Sequence, residues 1–326
     1  MIRVRIGTLG AARITPSALI KPARLVPGVE VAAVAARDRV RAGAFAAKHG
    51  IPVIHESYEA LIADPTIDAV YNPLPNALHA EWTLRALEAG KHVLCEKPLA
   101  SNESEARSVA EATDKSGLVV MEAFHYRYHP LADRMVSIVG ELGEIRQIET
   151  WMCFPLPRFS DIRYSLPLAG GALMDAGCYA VHLARLLGGG EPKVLAARAL
   201  LRSPGVDRAM SASLEFPSGA AGRINTSLWS SQLLRIAARV TGSRGQMRVF
   251  NFIAPQALHR LSYTVDGVTT RVKVPGEATY TYQLRAFLSA VQTGEGNLTP
   301  PSDSIANMAV IDEIYRKAGL TPRGTL

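Results

Sequence analysis

Short apolar runs alternate with helical stretches from the first residues to about position 122, a pattern that leaves few folds open. Parallel strands must be joined by crossovers, usually helices, so the alternation predicts a parallel sheet with helices on both faces. Val4 to Leu9 reads as the first strand and ends at Gly10. Val29 to Ala35 is a second, largely apolar run, as a strand buried on both faces should be. Asp38 stands as the N-cap of an alanine-rich helix that stops near Gly50. Pro52 to Ile54, Ala69 to Tyr71, Val93 to Cys95 and Leu118 to Met121 supply further strands. Among them Ser57 caps a short helix, and His79 to Ala89 forms another, closed by Gly90. A further helix follows Asn102, with Glu105 placed for a capping box, and ends at Gly117. Six strands with five crossovers predict a doubly wound α/β sheet over residues 1–122.

In such a sheet the first strand-to-helix turn is where a dinucleotide's pyrophosphate would sit. That turn is Gly10-Ala11-Ala12-Arg13-Ile14-Thr15, and of three glycines in a complete pattern only Gly10 is present. Ala12 is still small enough for close approach of the backbone, Thr15 implies looser packing of the helix, and Pro16 suits its first position. The end of the second strand discriminates between dinucleotides. An NAD site wants a carboxylate there, and this chain has Ala36-Arg37-Asp38 with Arg41 one turn on. Arg37 suits the ribose phosphate of NADP(H), while Asp38 reads as a helix cap, so NADP(H) is the expected cofactor.

Two more loops leave carboxyl ends of strands, where ligands of open parallel sheets bind. One is Tyr71-Asn72-Pro73-Leu74-Pro75-Asn76-Ala77-Leu78-His79, and the other Cys95-Glu96-Lys97-Pro98-Leu99. Pro73, Leu74, Asn76, His79, Glu96 and Lys97 are therefore candidates to border the cofactor. A lysine there can polarise a hydroxyl or hold a phenol near its working range. Further on, Gly170-Gly171 leads to Asp175, Gly177 and Tyr179 at the start of an apolar helix. Asp175 and Tyr179 are four apart and would share a helical face, a carboxylate behind an acid–base phenol. As bare residues, Lys97 also reads as a solvated loop lysine, Tyr179 as a packing aromatic, and His182 has no assigned role.

The loop Pro73-Leu74-Pro75-Asn76, His79, the Glu96-Lys97-Pro98 tripeptide and the Gly-Gly-x-x-x-Asp-x-Gly-x-Tyr stretch together resemble the Gfo/Idh/MocA oxidoreductases. The resemblance covers nearly the whole chain. It is greatest to the branch of dimeric dihydrodiol dehydrogenase and NADP-dependent D-xylose dehydrogenases, through the Gly10-to-Ile14 turn, Arg37 and Tyr179. It implies Lys97 as the essential lysine, Tyr179 as the general acid–base and Asp175 as the active-site aspartate. It implies hydride transfer to or from a sugar, polyol or related secondary alcohol or ketone. Tyrosine at 179 argues against an inositol substrate, and Ala12 departs from the usual glycine. Tyr126, Arg127, Arg163 and Tyr164 are the expected substrate contacts. A non-catalytic, dinucleotide-bound regulator or sugar sensor is the alternative, although it could dispense with a lysine–tyrosine pair that this chain retains.

From about Arg146 the pattern becomes alternating strands: Met210, Ala212, Leu214 and Phe216 on one side, then Leu234, Ile236, Ala238 and Val240, then Val268 to Val274 after an Asp266-Gly267 turn. Residues 123–326 are thus expected to form an α+β domain with an open, mostly antiparallel sheet that binds substrate. Two amphipathic helices, Tyr282 to Thr293 and Asp303 to Ala318, close the chain, and the last is expected to reach back to the first domain. An outer sheet face carrying Leu228, Trp229 or Phe250 would invite a second copy, so a homodimer or higher oligomer is expected.

Composition excludes other classes. With 48% apolar and 20% charged residues the chain of 326 residues is globular in character, and no stretch is apolar enough to span a bilayer. The net charge of +7 comes as scattered arginines without a basic run or aromatic platform, so no nucleic-acid partner is expected. Three distant cysteines show no metal-ligand spacing, and no metal is expected. They fit reduced thiols, and the first residues carry no export signal, so a cytoplasmic location is expected.

Overall fold

The computed structural model describes residues 3–232 and 234–324. The chain divides into two compact units that are not contiguous in sequence. One comprises Met1–Ala100, Ser104–Tyr128 and Glu277–Ser304, the other Ser101–Glu103, His129–Gly276 and Ile305–Leu326.

The first unit holds β1 (Val4–Leu9), β2 (Val29–Ala35), β3 (Val53–His55), β4 (Ala69–Asn72), β5 (His92–Cys95) and β6 (Val120–Glu122). They form a wholly parallel sheet in the order β3-β2-β1-β4-β5-β6. Chain direction across the sheet reverses at β1, which puts a ligand crevice at the carboxyl ends of β1 and β4. The caps follow the sequence: Asp38 accepts from the Arg41 N–H at 3.0 Å and Ser57 from the Ala60 N–H at 3.0 Å. Pro16 opens a wide π turn, Pro16–Ile20, and the chain then continues as Lys21–Ala23.

A single division between residues 122 and 123 is not what the structure shows. Ala123–Tyr128 stay with the first unit, and so does the helix Thr279–Thr293. Leu284, Phe287 and Ala290 of that helix enter the same core as Val4, Ile6, Tyr71 and Leu94. Full burial of a side chain such as Phe287 is worth about 2 kcal/mol. The helix that returns is therefore Thr279–Thr293, and the last one, Pro301–Lys317, runs mostly with the second unit. Amphipathicity foretold both helices but not the core each would join.

The second unit is built on β7 (Ile145–Cys153), β8 (Lys193–Ser203), β9 (Val206–Glu215), β10 (Ala221–Ser227), β11 (Arg235–Gly242), β12 (Gly245–Phe250), β13 (Arg260–Val265) and β14 (Val268–Val272). Their order is β14-β13-β12-β11-β7-β10-β9-β8, antiparallel except for β7 against β10. Met210, Ala212, Leu214 and Phe216 are buried as their alternation predicted. One face packs on the helix Cys178–Gly188, to whose Ala180 carbonyl the Thr150 hydroxyl donates at 2.9 Å. Leu234 does not follow its expected alternation; it precedes β11 and is exposed.

On the opposite face Phe250 stands in one row with Ala237 and Trp151, while Leu228 and Trp229 are engaged by other residues. Leu228 is fully buried, and Trp229 meets Phe159 edge-on with ring centroids 6.2 Å apart. Phe250 is half-buried. Register aligns Arg223, Glu149, Arg239, Arg248, Ser262 and Arg271 in one row across the strands, with Arg239 paired to Glu149. Charge, not apolar area, dominates that row.

Candidate active site

Gly10, at the carboxyl end of β1, has φ of +89°, which L side chains adopt only with strain, and its N–H donates to the Ala35 carbonyl at 2.6 Å. The chain turns through Ala11, Ala12, Arg13 and Ile14, and the Thr15 N–H closes on the Ala12 carbonyl at 3.2 Å. Arg41 donates to the Ala11 carbonyl at 2.8 Å, so it braces the turn from the neighbouring helix. Arg37 is exposed at the end of β2, and among the described residues no salt bridge engages it. Asp38 is occupied as a cap. A turn with left-handed glycine, small residues after it and an exposed arginine at the end of β2 fits a dinucleotide carrying a ribose phosphate.

Lys97 leaves the carboxyl end of β5, two strands from β1, and its loop is fixed from several sides. The Glu96 N–H donates to the Asn72 carbonyl at 3.0 Å. The Tyr71 hydroxyl donates to the Glu96 carboxylate at 2.7 Å; burial, with the Glu96 charge, pushes that phenol far above its ordinary pKa. The His79 ring sits between two carbonyls, Nδ1 at 2.6 Å from Pro98 and Nε2 at 2.6 Å from Leu74. Burial holds this imidazole down at about 4, aided by the Lys97 charge and opposed by both carbonyls, which favour the cation. A neutral ring donates to one of them. The Leu99 N–H donates to the buried Glu122 carboxylate at 3.0 Å, and the Ser304 hydroxyl bonds the same carboxylate. His79 and Glu96, expected to border the cofactor, thus also anchor the two loops to each other and to β4; Pro73 and Asn76 lie in the same β4 loop.

His125 joins this side of the first unit. Its Nδ1 lies 2.7 Å from the Thr279 hydroxyl, and its ring stacks on Tyr280 with centroids 4.0 Å apart. Burial, with the Lys97 charge, holds it at about 3, a neutral imidazole. Of the neighbouring residues expected to touch substrate, Tyr126 is buried and Arg127 half-buried. Glu122 and His125 are not among the residues the sequence singles out; a polar group ending an apolar strand, as in Val120-Met121-Glu122, is the available signal.

In the second unit the Gly170-Gly171 pair is explained by close approach. A Cβ on Gly170 would meet the Arg163 carbonyl at 2.7 Å, and Gly171, with φ of +148°, leaves no room against Asp207, Arg323 and Tyr315. The chain forms a π turn, Leu173–Gly177, before the helix that carries Tyr179. Asp175 lies within this widened turn, and Tyr179 on the helix that continues from it. Asp175 Oδ2 accepts from the Gly171 N–H at 3.4 Å, and Oδ1 lies 3.8 Å from Arg163 Nε, which brings an expected substrate contact to the expected aspartate. Arg163 also donates to Asp161 at 3.0 Å. Tyr164 donates its hydroxyl to the Leu156 carbonyl at 2.9 Å and is largely buried. Tyr179 is 5% exposed, a packed phenol and not a solvent-facing one.

A doubly wound sheet with a glycine turn at its switch point, and a braced lysine at a nearby strand end, defines a dinucleotide-binding α/β protein. Comparisons with known proteins give its family. Residues 4–124 match the oxidoreductase family with NAD-binding Rossmann fold, and residues 134–248 the GFO/IDH/MocA C-terminal domain. D-xylose 1-dehydrogenase (NADP(+)) 2 of Haloferax volcanii is 41% identical over 315 residues, 96% of each chain. Trans-1,2-dihydrobenzene-1,2-diol dehydrogenase of Xenopus laevis is 34% identical over 76% of this chain and 73% of its own. A 3-ketoreductase from Actinomadura kijaniata, solved with NADP and TDP-benzene, superposes with a TM-score of 0.89 at 29% identity, covering 97% of this chain and 98% of its own. The chain belongs to the GFO/IDH/MocA oxidoreductase family. Among the described residues no helix is long and apolar enough to cross a membrane, and no cluster of side chains could hold a metal ion.

Proposed function

We propose that the protein is an NADP-dependent oxidoreductase that interconverts a hydroxyl and a carbonyl on a sugar, polyol or related diol. The observation that carries this reading is the fixed Lys97 loop, on a strand end near the Gly10 turn and flanked by neutral imidazoles. NADP(H) supplies or accepts the hydride when bound. Gly10, Ala11, Ala12, Arg13 and Ile14 would hold its pyrophosphate, and Arg37 would pair with its ribose phosphate. Leu74, Pro73 and Asn76 border it.

The protein's own residues handle the proton. Tyr179 is assigned as the acid–base group at the substrate oxygen, and Lys97 as the essential lysine of the same reaction. Asp175, held by Arg163, is assigned to orient the substrate with Tyr126, Arg127 and Tyr164. The D-xylose dehydrogenase relative supports an aldose, and the dihydrodiol relative a cyclic diol. A panel of pentoses, hexoses, keto-sugars and dihydrodiols, followed by NADPH absorbance, separates these classes. No turnover with any member, despite tight NADPH binding, favours the sensor role. A cytoplasmic location and a homo-oligomer belong to the same proposal, the latter supported by the broad sheet face opposite the helix Cys178–Gly188, which carries Phe250.

A further inference from the structure

We propose that Asp207 and Arg323 form a buried clamp that positions the turn before Tyr179, and so are positioning residues for proton transfer. The inference rests on the reading of Tyr179 as the acid–base group. Asp207, on β9, and Arg323, beyond the last helix, are both almost wholly buried and pair at 2.9 Å. Each also holds the backbone of the Gly170–Cys178 turn. Arg323 Nε donates to the Gly170 carbonyl at 3.0 Å, and the Leu173 N–H donates to Asp207 Oδ2 at 2.8 Å. Two backbone atoms three residues apart are thereby tied to one ion pair.

The clamp is itself held. The Tyr315 hydroxyl donates to Asp207 Oδ1 at 3.0 Å, the Arg323 guanidinium lies 4.2 Å from the Tyr315 ring centroid, and Asn102 donates to the Arg323 carbonyl at 2.8 Å. Further along, the Thr226 hydroxyl is 3.0 Å from the Ala172 carbonyl, and Gly177 is small because Thr226 and Leu173 crowd it. Removing two charges from water largely offsets their attraction, so a pair this deep contributes little net stability. Direction is what it supplies. A π turn is a sparsely used backbone geometry, and here it lies between the clamped residues and the phenol. Release of its first residues would let Gly171, Asp175 and Tyr179 shift together, and displacement of about 1 Å at a reacting group costs about a hundredfold in rate.

The test compares Asp207→Asn, Tyr315→Phe, Arg323→Lys and Arg323→Gln with Tyr179→Phe, all in the full chain. Readouts are kcat, KM, NADPH affinity, the pH profile of kcat and the folded fraction. Expected are a tenfold or larger fall in kcat for Asp207→Asn and Arg323→Gln, with partial rescue in Arg323→Lys. NADPH affinity stays unchanged, and the limb of the pH profile that Tyr179→Phe abolishes is displaced. Tyr315→Phe keeps both charges and gives a smaller effect of the same kind should Asp207→Asn not fold. An inactive Tyr179→Phe beside clamp variants with normal kcat and pH profile overturns the inference alone. Losses that track the folded fraction, with an unmoved pH profile, overturn it too. A fully active Tyr179→Phe overturns the acid–base reading and the clamp's role with it.

Discussion

His79 Nδ1 lies 2.6 Å from the carbonyl oxygen of Pro98, the residue that follows Lys97, while its other ring nitrogen faces the Leu74 carbonyl. One imidazole therefore joins the loop after β4 to the loop after β5. His79→Ala leaves buried carbonyls without their partner, a cost of about 1–3 kcal/mol. Urea unfolding should show that loss, and turnover should fall by more than the folded fraction accounts for. Unchanged stability with unchanged turnover would contradict the linkage.

His125 gives a pH dependence of stability. Its folded pKa of about 3 lies below the ordinary value of 6.5, so between them the unfolded chain binds the extra proton. Its contribution is complete above pH 6.5 and is lost as pH falls toward 3, at about 1.4 kcal/mol per unit. Between pH 6.5 and 5 the wild type should lose about 2 kcal/mol more than His125→Asn in urea melts. Parallel pH dependence in the two proteins would count against a neutral, buried His125.

The strands of the first unit, the caps at Asp38 and Ser57, and the loops bearing Lys97 and His79 could be read locally, because each depends on neighbours in sequence. What escaped reading depends on distant partners. The Thr279–Thr293 helix looks like any amphipathic helix until Phe287 is placed in the same core as Tyr71. Arg323 looks like a tail residue until it is found against Asp207. Leu228, an outer-face residue by its pattern, is buried, while register brings Arg223, Arg239, Arg248 and Arg271 into one row of the face opposite the helix Cys178–Gly188. Pairing register, which the sequence does not state, decides that row.

That row predicts the salt dependence of self-association. Two such faces brought together oppose like charges, which is unfavourable unless anions intervene. Association through the open face should therefore strengthen as salt or phosphate is added, measured by light scattering at fixed protein concentration. A monomer at every ionic strength would contradict the proposed oligomer, and a dimer that dissociates with salt would place its interface elsewhere.

Arg37 should decide the choice of dinucleotide. A charge-assisted contact to the ribose phosphate is worth about 2 kcal/mol, roughly thirtyfold in affinity. Arg37→Asp should erase or invert a preference for NADPH over NADH, measured by fluorescence titration. A wild type that binds NADH more tightly would contradict the assignment.

The most direct measurement follows NADPH absorbance with the aldose and diol panel for wild type and Tyr179→Phe side by side, with NADPH affinity measured for both. The account predicts turnover of at least one sugar or diol by the wild type. It predicts a fall of roughly a hundredfold or more in Tyr179→Phe, with cofactor affinity retained. A variant that turns over like the wild type would remove Tyr179 from proton transfer, and a wild type inert toward every sugar and diol would contradict the proposed activity itself.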